Sequence, residues 1–271
     1  MQEIIQRRLN TLAIIERERY VKEILSDPRY ENKKRLEKYG FKVYSQNDED
    51  GIIQEIFIRI GQSPRTFVEF GVENGLENNT LKLLLEGWSG LWIDGNEQYV
   101  SQINAKFGDV ISDGRLRVKA AFIDRDNINN LIETYFSGEI GMLSIDIDGN
   151  DIHILEAINA VNPRVVIVEY NGKFPPPMSI AQRYNPTHRW NGTDYGGSSL
   201  EAITKVAARK GYSLVGCGIV GVNAFFVRND LVGDKFFEPF TAENHYQPAR
   251  YFLWQTFVAG HPPSWGPYET I

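Results

Sequence analysis

Thr66-Phe67-Val68-Glu69-Phe70-Gly71-Val72-Glu73-Asn74-Gly75 decides how this chain is read. A run of strand-forming residues ends in a glycine-bearing turn, and the apolar spacing over 78–86 predicts a helix directly after it. Gly90-Leu91-Trp92-Ile93 then reads as a second strand, closed by Asp94. A strand that opens through a glycine turn into a helix N-terminus offers backbone N–H groups and a positive dipole end to a ligand. An acidic residue about 20 positions further on, closing the next strand, stands where a ribose hydroxyl pair is held in nucleotide-binding α/β folds. The glycines are spaced Gly71-x-x-x-Gly75 rather than G-x-G-x-x-G, which argues against a nicotinamide or flavin dinucleotide.

Outward from this stretch, strand and helix patterns alternate. Strands are expected at 66–70, 90–93, 116–121, 141–146, 164–169, 212–216 and 223–228, with helices at 78–86, 96–107, 126–136, 151–160 and 198–210. Met142-Leu143-Ser144-Ile145 and Val165-Val166-Ile167-Val168 are apolar on both faces, the mark of a covered parallel sheet. Gly218 to Gly221 leaves room only for a short turn, so the last two strands should pair antiparallel. The expected fold is α/β, a doubly wound, mostly parallel seven-stranded sheet with an antiparallel last strand. Ligands bind such sheets beyond the carboxyl ends of the strands.

Three regions follow. Residues 1–43 form an N-terminal helical extension, with Ile4, Ile5, Leu9, Leu12, Ile15, Val21, Ile24 and Leu25 at helical spacing before Asp27-Pro28. A shorter helix is expected at 32–38, ending at Gly40. The extension should pack on the main domain, or else serve as a dimerisation arm or lid. The core domain spans 44–234. Ahead of its first helix lies Tyr44-Ser45-Gln46-Asn47-Asp48-Glu49-Asp50-Gly51, where Asn47 or Asp48 can cap the helix. That leaves Ser45, Gln46 and Asp50 to face a ligand. The loop 172–197 holds Pro175-Pro176-Pro177, His188, Arg189, Trp190 and Tyr195; loops of that length in compact domains are usually functional, and this one reads as a substrate lid. Residues 235–271 carry Phe236, Phe237, Phe240, Trp254, Phe257 and Trp265, too apolar for a free linker, and should pack back on the core or on a partner subunit.

The charge balance is 29 − 35 = −6, which disfavours nucleic acid and anionic membranes as partners. The single cysteine, Cys217, excludes an intrachain disulfide and thiolate metal clusters. No apolar run approaches the ~20 residues of a membrane span, and the first residues lack a signal peptide's order. A cytoplasmic protein is the expectation.

The expected strand ends share a chemistry: Glu69 with Gly71, Asp94 with Asn96, Asp124, Asp146 with Asp148, and Glu169 with Asn171. Carboxylates along one edge of one sheet make a negative cleft, suited to a cationic ligand, a metal ion or both. S-adenosylmethionine, with its sulfonium and ammonium groups, is such a ligand.

The chain resembles the FkbM family of S-adenosylmethionine-dependent methyltransferases, within the class I superfamily of Rossmann-like methyltransferases. The resemblance rests on Ser45-Gln46 with Glu49-Asp50-Gly51, on Phe67 to Gly75 with Asn79-Thr80, and on Trp88 to Asn96. It continues through Ile145 to Asp151 with Ile154 to Ala157, and Val166 to Asn171. It implies that Glu69, Gly71 and Gly75 line the methionine moiety with Asn79 and Thr80 beside it, that Asp94 takes the ribose hydroxyls, and that Asp124 takes the adenine amino group. Glu73-Asn74, Asp94 and Asp148 depart from residues more usual in the family.

The activity so implied is O-methylation of a sugar or related polyhydroxylated small molecule or glycan, possible in a homodimer. Alignment of donor and acceptor supplies up to about 7–11 kcal/mol of such a barrier, and one base adds typically about 10²–10⁴-fold. Asp146, Asp148, Glu169 and His188 are the candidate bases, whereas His153 reads as structural. Asp146, Glu169 and Asn171 offer hard oxygens suited to Mg²⁺. Two other readings stay open: a metal-dependent glycosyltransferase using Asp146-Ile147-Asp148 as its D-x-D motif, and a non-catalytic cofactor-binding module.

Overall fold

A computed structural model describes residues 2–253 and 260–271. The central sheet holds β1 (Thr66–Phe70), β2 (Ser89–Asp94), β3 (Leu116–Ala120), β4 (Gly138–Ile145), β5 (Val161–Glu169), β7 (Tyr212–Cys217) and β8 (Asn223–Arg228). Their order is β3-β2-β1-β4-β5-β8-β7. All pairings from β3 to β5 are parallel, and β8 runs antiparallel to both β5 and β7. This is the doubly wound, mostly parallel seven-stranded sheet with an antiparallel last strand that the sequence leads one to expect. The chain leaves β1 in one direction for β2 and β3 and in the other for β4 and β5, so a crevice opens between β1 and β4 at their carboxyl ends.

Alternation along each strand divides the core. Val68, Phe70, Leu91, Ile93, Leu143 and Val166 meet the apolar faces of α6 (Ile128–Glu133), α7 (Asp151–Ala157) and α8 (Leu200–Arg209) on one side. Phe67, Trp92, Met142, Val165 and Phe225 meet α2 (Glu49–Ile60), α3 (Leu81–Leu85) and α4 (Glu97–Lys106) on the other. Burying one such side chain contributes about 1.5–3 kcal/mol. Two covered faces explain why these strands read as unbroken apolar runs. A short helix, α5 (Gly108–Ser112), continues α4 beyond Phe107.

Two expectations are corrected, and a third is narrowed. The stretch 32–38 is not a helix. It holds only a 3₁₀ turn, Glu37–Tyr39, because Arg59 takes the carbonyls of Lys33 and Lys34, and Asn32 binds the amide of Lys34. The loop 172–197 is not wholly without secondary structure: β6 (Ile180–Gln182) pairs antiparallel with β9 (Tyr268–Thr270) from the end of the chain. Lastly, α1 (Gln2–Leu25) has no buried residue. Only its last turns touch the body, where Val21, Ile24 and Leu25 pack against Ile219, Val220, Val222 and Leu253. Ile4, Ile5, Leu9, Leu12 and Ile15 stay exposed.

Beyond β8 the chain forms α9 (Asn229–Val232) and α10 (Ala242–His245). Phe236 is buried, Phe240 packs beside it, and Arg35 lies over Phe237. Trp265 is exposed, and Trp254 and Phe257 lie outside the described residues. No described helix is long and apolar enough to cross a membrane.

Candidate active site

The carboxyl ends of β1, β2, β4 and β5 wall a cleft of about 440 Å³, within the range of small-molecule sites. Its floor is β1. Glu69 is buried there and accepts the amides of Asn79 and Thr80 and the Thr80 hydroxyl. That hydroxyl in turn accepts the Trp92 indole N–H at 2.7 Å. Burial outweighs these hydrogen bonds and raises the Glu69 carboxyl to about 7.

The turn after β1 is set by two contacts. Gly71 has φ 73°, and a Cβ placed on it would meet the carbonyl oxygen of Asp146 at 1.7 Å, so only glycine lets β1 and β4 approach this closely. Asp94, at the end of β2, accepts the amide of Glu73 at 2.8 Å through one oxygen and that of Asn96 at 2.7 Å through the other. Asp94 therefore ties down the glycine turn. Burial raises its pKa against the lowering pull of both amides.

At the end of β4, Asp151 accepts the amides of Ile147 and Gly149 and folds the loop back. Asp148, at φ 57°, projects into the cleft. There Asp146, Asp148 and Glu169 converge, each offering an oxygen within 4.8 Å of the others. Burial first, and then the neighbouring carboxylates, hold Asp146 and Glu169 well above the usual carboxylate range. Asp148 is also raised by burial, opposed by His188 and His261.

The 172–197 loop closes the outer side. His188 Nε2 lies 3.0 Å from the Asp148 carbonyl and donates to it, which leaves Nδ1 as the basic atom. The Arg189 guanidinium lies over Phe122, 4.8 Å from its ring centre. Trp190 meets His261 edge-on, and His261 meets Tyr251. His153 is buried, between the Arg125 guanidinium and the Gln182 carbonyl, and so ties the lid strand to the core.

Gln46, Glu69, Gly71, Asn79, Asp94, Asn96, Asp146, Asp148, Glu169, Asn171 and His188 all reach the cleft. Ser45, Asp50, Gly75, Thr80 and Asp124 do not line it. Asp50 turns away to accept the amides of Val43, Tyr44 and Ser45 and the Ser45 hydroxyl. Asp48 holds the N-cap position of α2, but its side chain accepts the Ile219 amide, and it is the Ser45 hydroxyl that takes the Asp50 amide of the first turn. Gly75 packs against Trp92 and Phe107 beneath the turn, and Thr80 is spent between Glu69 and Trp92. Asp124 accepts the amides of Asp126 and Asn127, so it is Phe122 and Ile123 that line the wall there. Asn171 reaches the cleft edge, but its amide group donates to the Asp194 and Gly196 carbonyls and its carbonyl accepts the Lys173 amide. Those bonds hold the lid, and Asp148 stands in the acidic cluster in its stead. Tyr99, Phe122, Tyr251 and His261 line the cleft without any motif to mark them.

No family model matches the sequence, and no curated protein matches it. Solved structures do. The N-terminal domain of EvdMO1 with S-adenosylhomocysteine bound is similar over 82% of this chain and 94% of that one, at 12% identity and a TM-score of 0.42. The magnesium protoporphyrin IX methyltransferase ChlM from Synechocystis PCC 6803 is similar over 84% of this chain and 100% of that one, at 12% identity and 0.39. WbdD is similar over 66% of this chain at 13% identity and a TM-score of 0.39, and the chain spans only 39% of WbdD's length. It likewise spans 24% of PKMT2 from Rickettsia typhi.

Proposed function

We propose that the protein is an S-adenosylmethionine-dependent methyltransferase that methylates a hydroxyl of a sugar or related polyhydroxylated small molecule. The observation that carries this reading is the sign and placement of charge at the switch point of the sheet. Eight carboxylic side chains line the cleft, and among the described lining residues Arg189 is the sole permanent cation. A sulfonium and an ammonium group fit such a field, and a pyrophosphate does not. The same field weighs against a sugar nucleotide on Asp146-Ile147-Asp148.

In this reading the methionine moiety lies along Glu69 and Gly71, with its ammonium toward the Glu69 carboxylate. The ribose hydroxyls donate to Asp94, whose oxygens keep free lone pairs after accepting two amides. The adenine lies against Phe122 and Ile123, with Tyr99 at its edge. The acceptor then enters between the β4 and β5 ends and the lid, where Trp190 and Tyr251 offer flat apolar faces and Nδ1 of His188 offers a base. The FkbM resemblance and the methyltransferase neighbours agree with this reading.

The test is a binding comparison on the intact chain. S-adenosylhomocysteine should raise the melting temperature, and UDP- or GDP-sugars with Mn²⁺ should not. Stabilisation by the sugar nucleotides alone would favour glycosyl transfer. No response to S-adenosylhomocysteine at millimolar concentration would sink the proposal.

A further inference from the structure

We propose that Asp146, Asp148 and Glu169 bind one hard divalent cation, with the side-chain oxygen of Asn223 as a further ligand. The inference rests on the methyl-transfer reading for its purpose, whereas the binding itself is a property of these four side chains.

Elsewhere in this sheet edge, carboxylates are spoken for by the backbone. Asp50, Glu69, Asp94 and Asp151 each accept at least two main-chain amides. The clustered three differ. Among the described residues, no main-chain amide, hydroxyl or cationic side chain donates to Asp146, Asp148 or Glu169, although their oxygens lie within 4.8 Å of one another. Three carboxyl groups turned toward one point have no permanently cationic side chain against them among the described residues, and only the His188 and His261 imidazoles act to lower Asp148.

Asn223 is the independent observation. It lies on β8 opposite Glu169 in the register, it is only 2% exposed, and it lines the same cleft. Its Nδ2 donates to Glu49 at 3.0 Å, which fixes the amide's orientation and leaves Oδ1 on the other side. That buried oxygen has no hydrogen-bond partner. An orphaned buried carbonyl oxygen carries its full desolvation cost, and a cation within its reach would relieve it.

The donor set is all oxygen, without sulfur or nitrogen, which selects Mg²⁺, Mn²⁺ or Ca²⁺ over the softer metals. Size can be bounded as well. Ligands at about 2.1 Å from Mg²⁺ lie no more than about 4.2 Å apart, and at about 2.3–2.6 Å from Ca²⁺ no more than about 4.6–5.2 Å. A spread of up to 4.8 Å suits the larger ion as it stands and the smaller after a shift of a few tenths of an ångström. The ion would face the lid, on the acceptor side of the cleft, where it would polarise an oxygen bound to it. An oxygen acceptor is thereby favoured over a carbon one.

The test uses the full chain, stripped of metal and titrated with MnCl₂ while electron paramagnetic resonance follows free Mn²⁺. One ion should bind per chain, and Asp148→Asn and Glu169→Gln should each weaken it at least tenfold. Asp148→Asn keeps the fold, since the carboxylate accepts no hydrogen bond and asparagine tolerates the positive φ; an unchanged melting temperature checks this. Failure of the wild type to bind Mn²⁺ at millimolar concentration, or wild-type binding by both variants, overturns the site. S-adenosylhomocysteine is titrated into the same samples. Its binding without Mn²⁺ binding removes the cation site alone, and Mn²⁺ binding without it supports the site while removing the methyl-transfer reading.

Discussion

Gly71, Asp94 and Glu69 each carry a separate requirement at the scale of single residues. Gly71→Ala forces a methyl group into the Asp146 carbonyl at a positive φ. The expected cost is at least about 1–3 kcal/mol of stability, with loss of S-adenosylhomocysteine binding, read by thermal melting and calorimetry. Asp94→Ala removes two acceptors from the ribose and frees the Glu73 amide. At about 1.5–3 kcal/mol per charged hydrogen bond, affinity for S-adenosylhomocysteine should fall more than tenfold; an unchanged affinity would move the ribose elsewhere. Glu69 gives the pH dependence. Its carboxyl is raised to about 7 by burial, so its contribution to folding is full below the ordinary carboxylate range and is lost as pH rises through about 7. An ammonium group beside it favours the ionised form. Binding at pH 6 should therefore release a proton and weaken as pH falls, whereas binding at pH 8 should release none. Calorimetry in two buffers of unlike ionisation enthalpy measures this.

The lid is where reading the sequence stopped short among the elements. Continuous apolar strands were legible because burial on both faces leaves a compositional trace. β6 left none: its three residues pair with Tyr268–Thr270, and only the folded chain brings the two together. Ser45, Asp50 and Asp124 show the converse difficulty. A carboxylate that serves main-chain amides and one that serves a ligand are the same residue type at the same kind of strand or helix end, and only the direction of the side chain separates them. Asp146, Asp148 and Glu169 were legible as strand-end acids, but the buried amide of Asn223 was not, since asparagine in a strand carries no signal of its own. The β6–β9 pair also makes a prediction. Removing residues 267–271 should open the 172–197 loop to limited proteolysis and leave the melting temperature within a few degrees, because the pair lies outside the central sheet. Unchanged cleavage would mean that the His153 and Asn171 contacts hold the lid unaided.

The whole molecule divides unevenly between its ends. The sheet and its two apolar layers carry the stability, and α1 contributes only the contacts of its last turns. Deleting residues 2–16 should accordingly shift the melting temperature by no more than about 2 °C and leave S-adenosylhomocysteine affinity unchanged, both measurable on one sample. The other end is tied into the body of the fold. Ile271 donates its amide to the Ser179 carbonyl, and its own carbonyl accepts the Ser179 hydroxyl and the Lys205 ammonium. Whatever is joined beyond Ile271 must leave from beside Ser179 and Lys205, between the start of β6 and α8. An affinity tag or reporter fused there would load the β6–β9 pair that ties down the 172–197 loop. The same fusion placed ahead of α1 would sit on a helix that the cleft does not use.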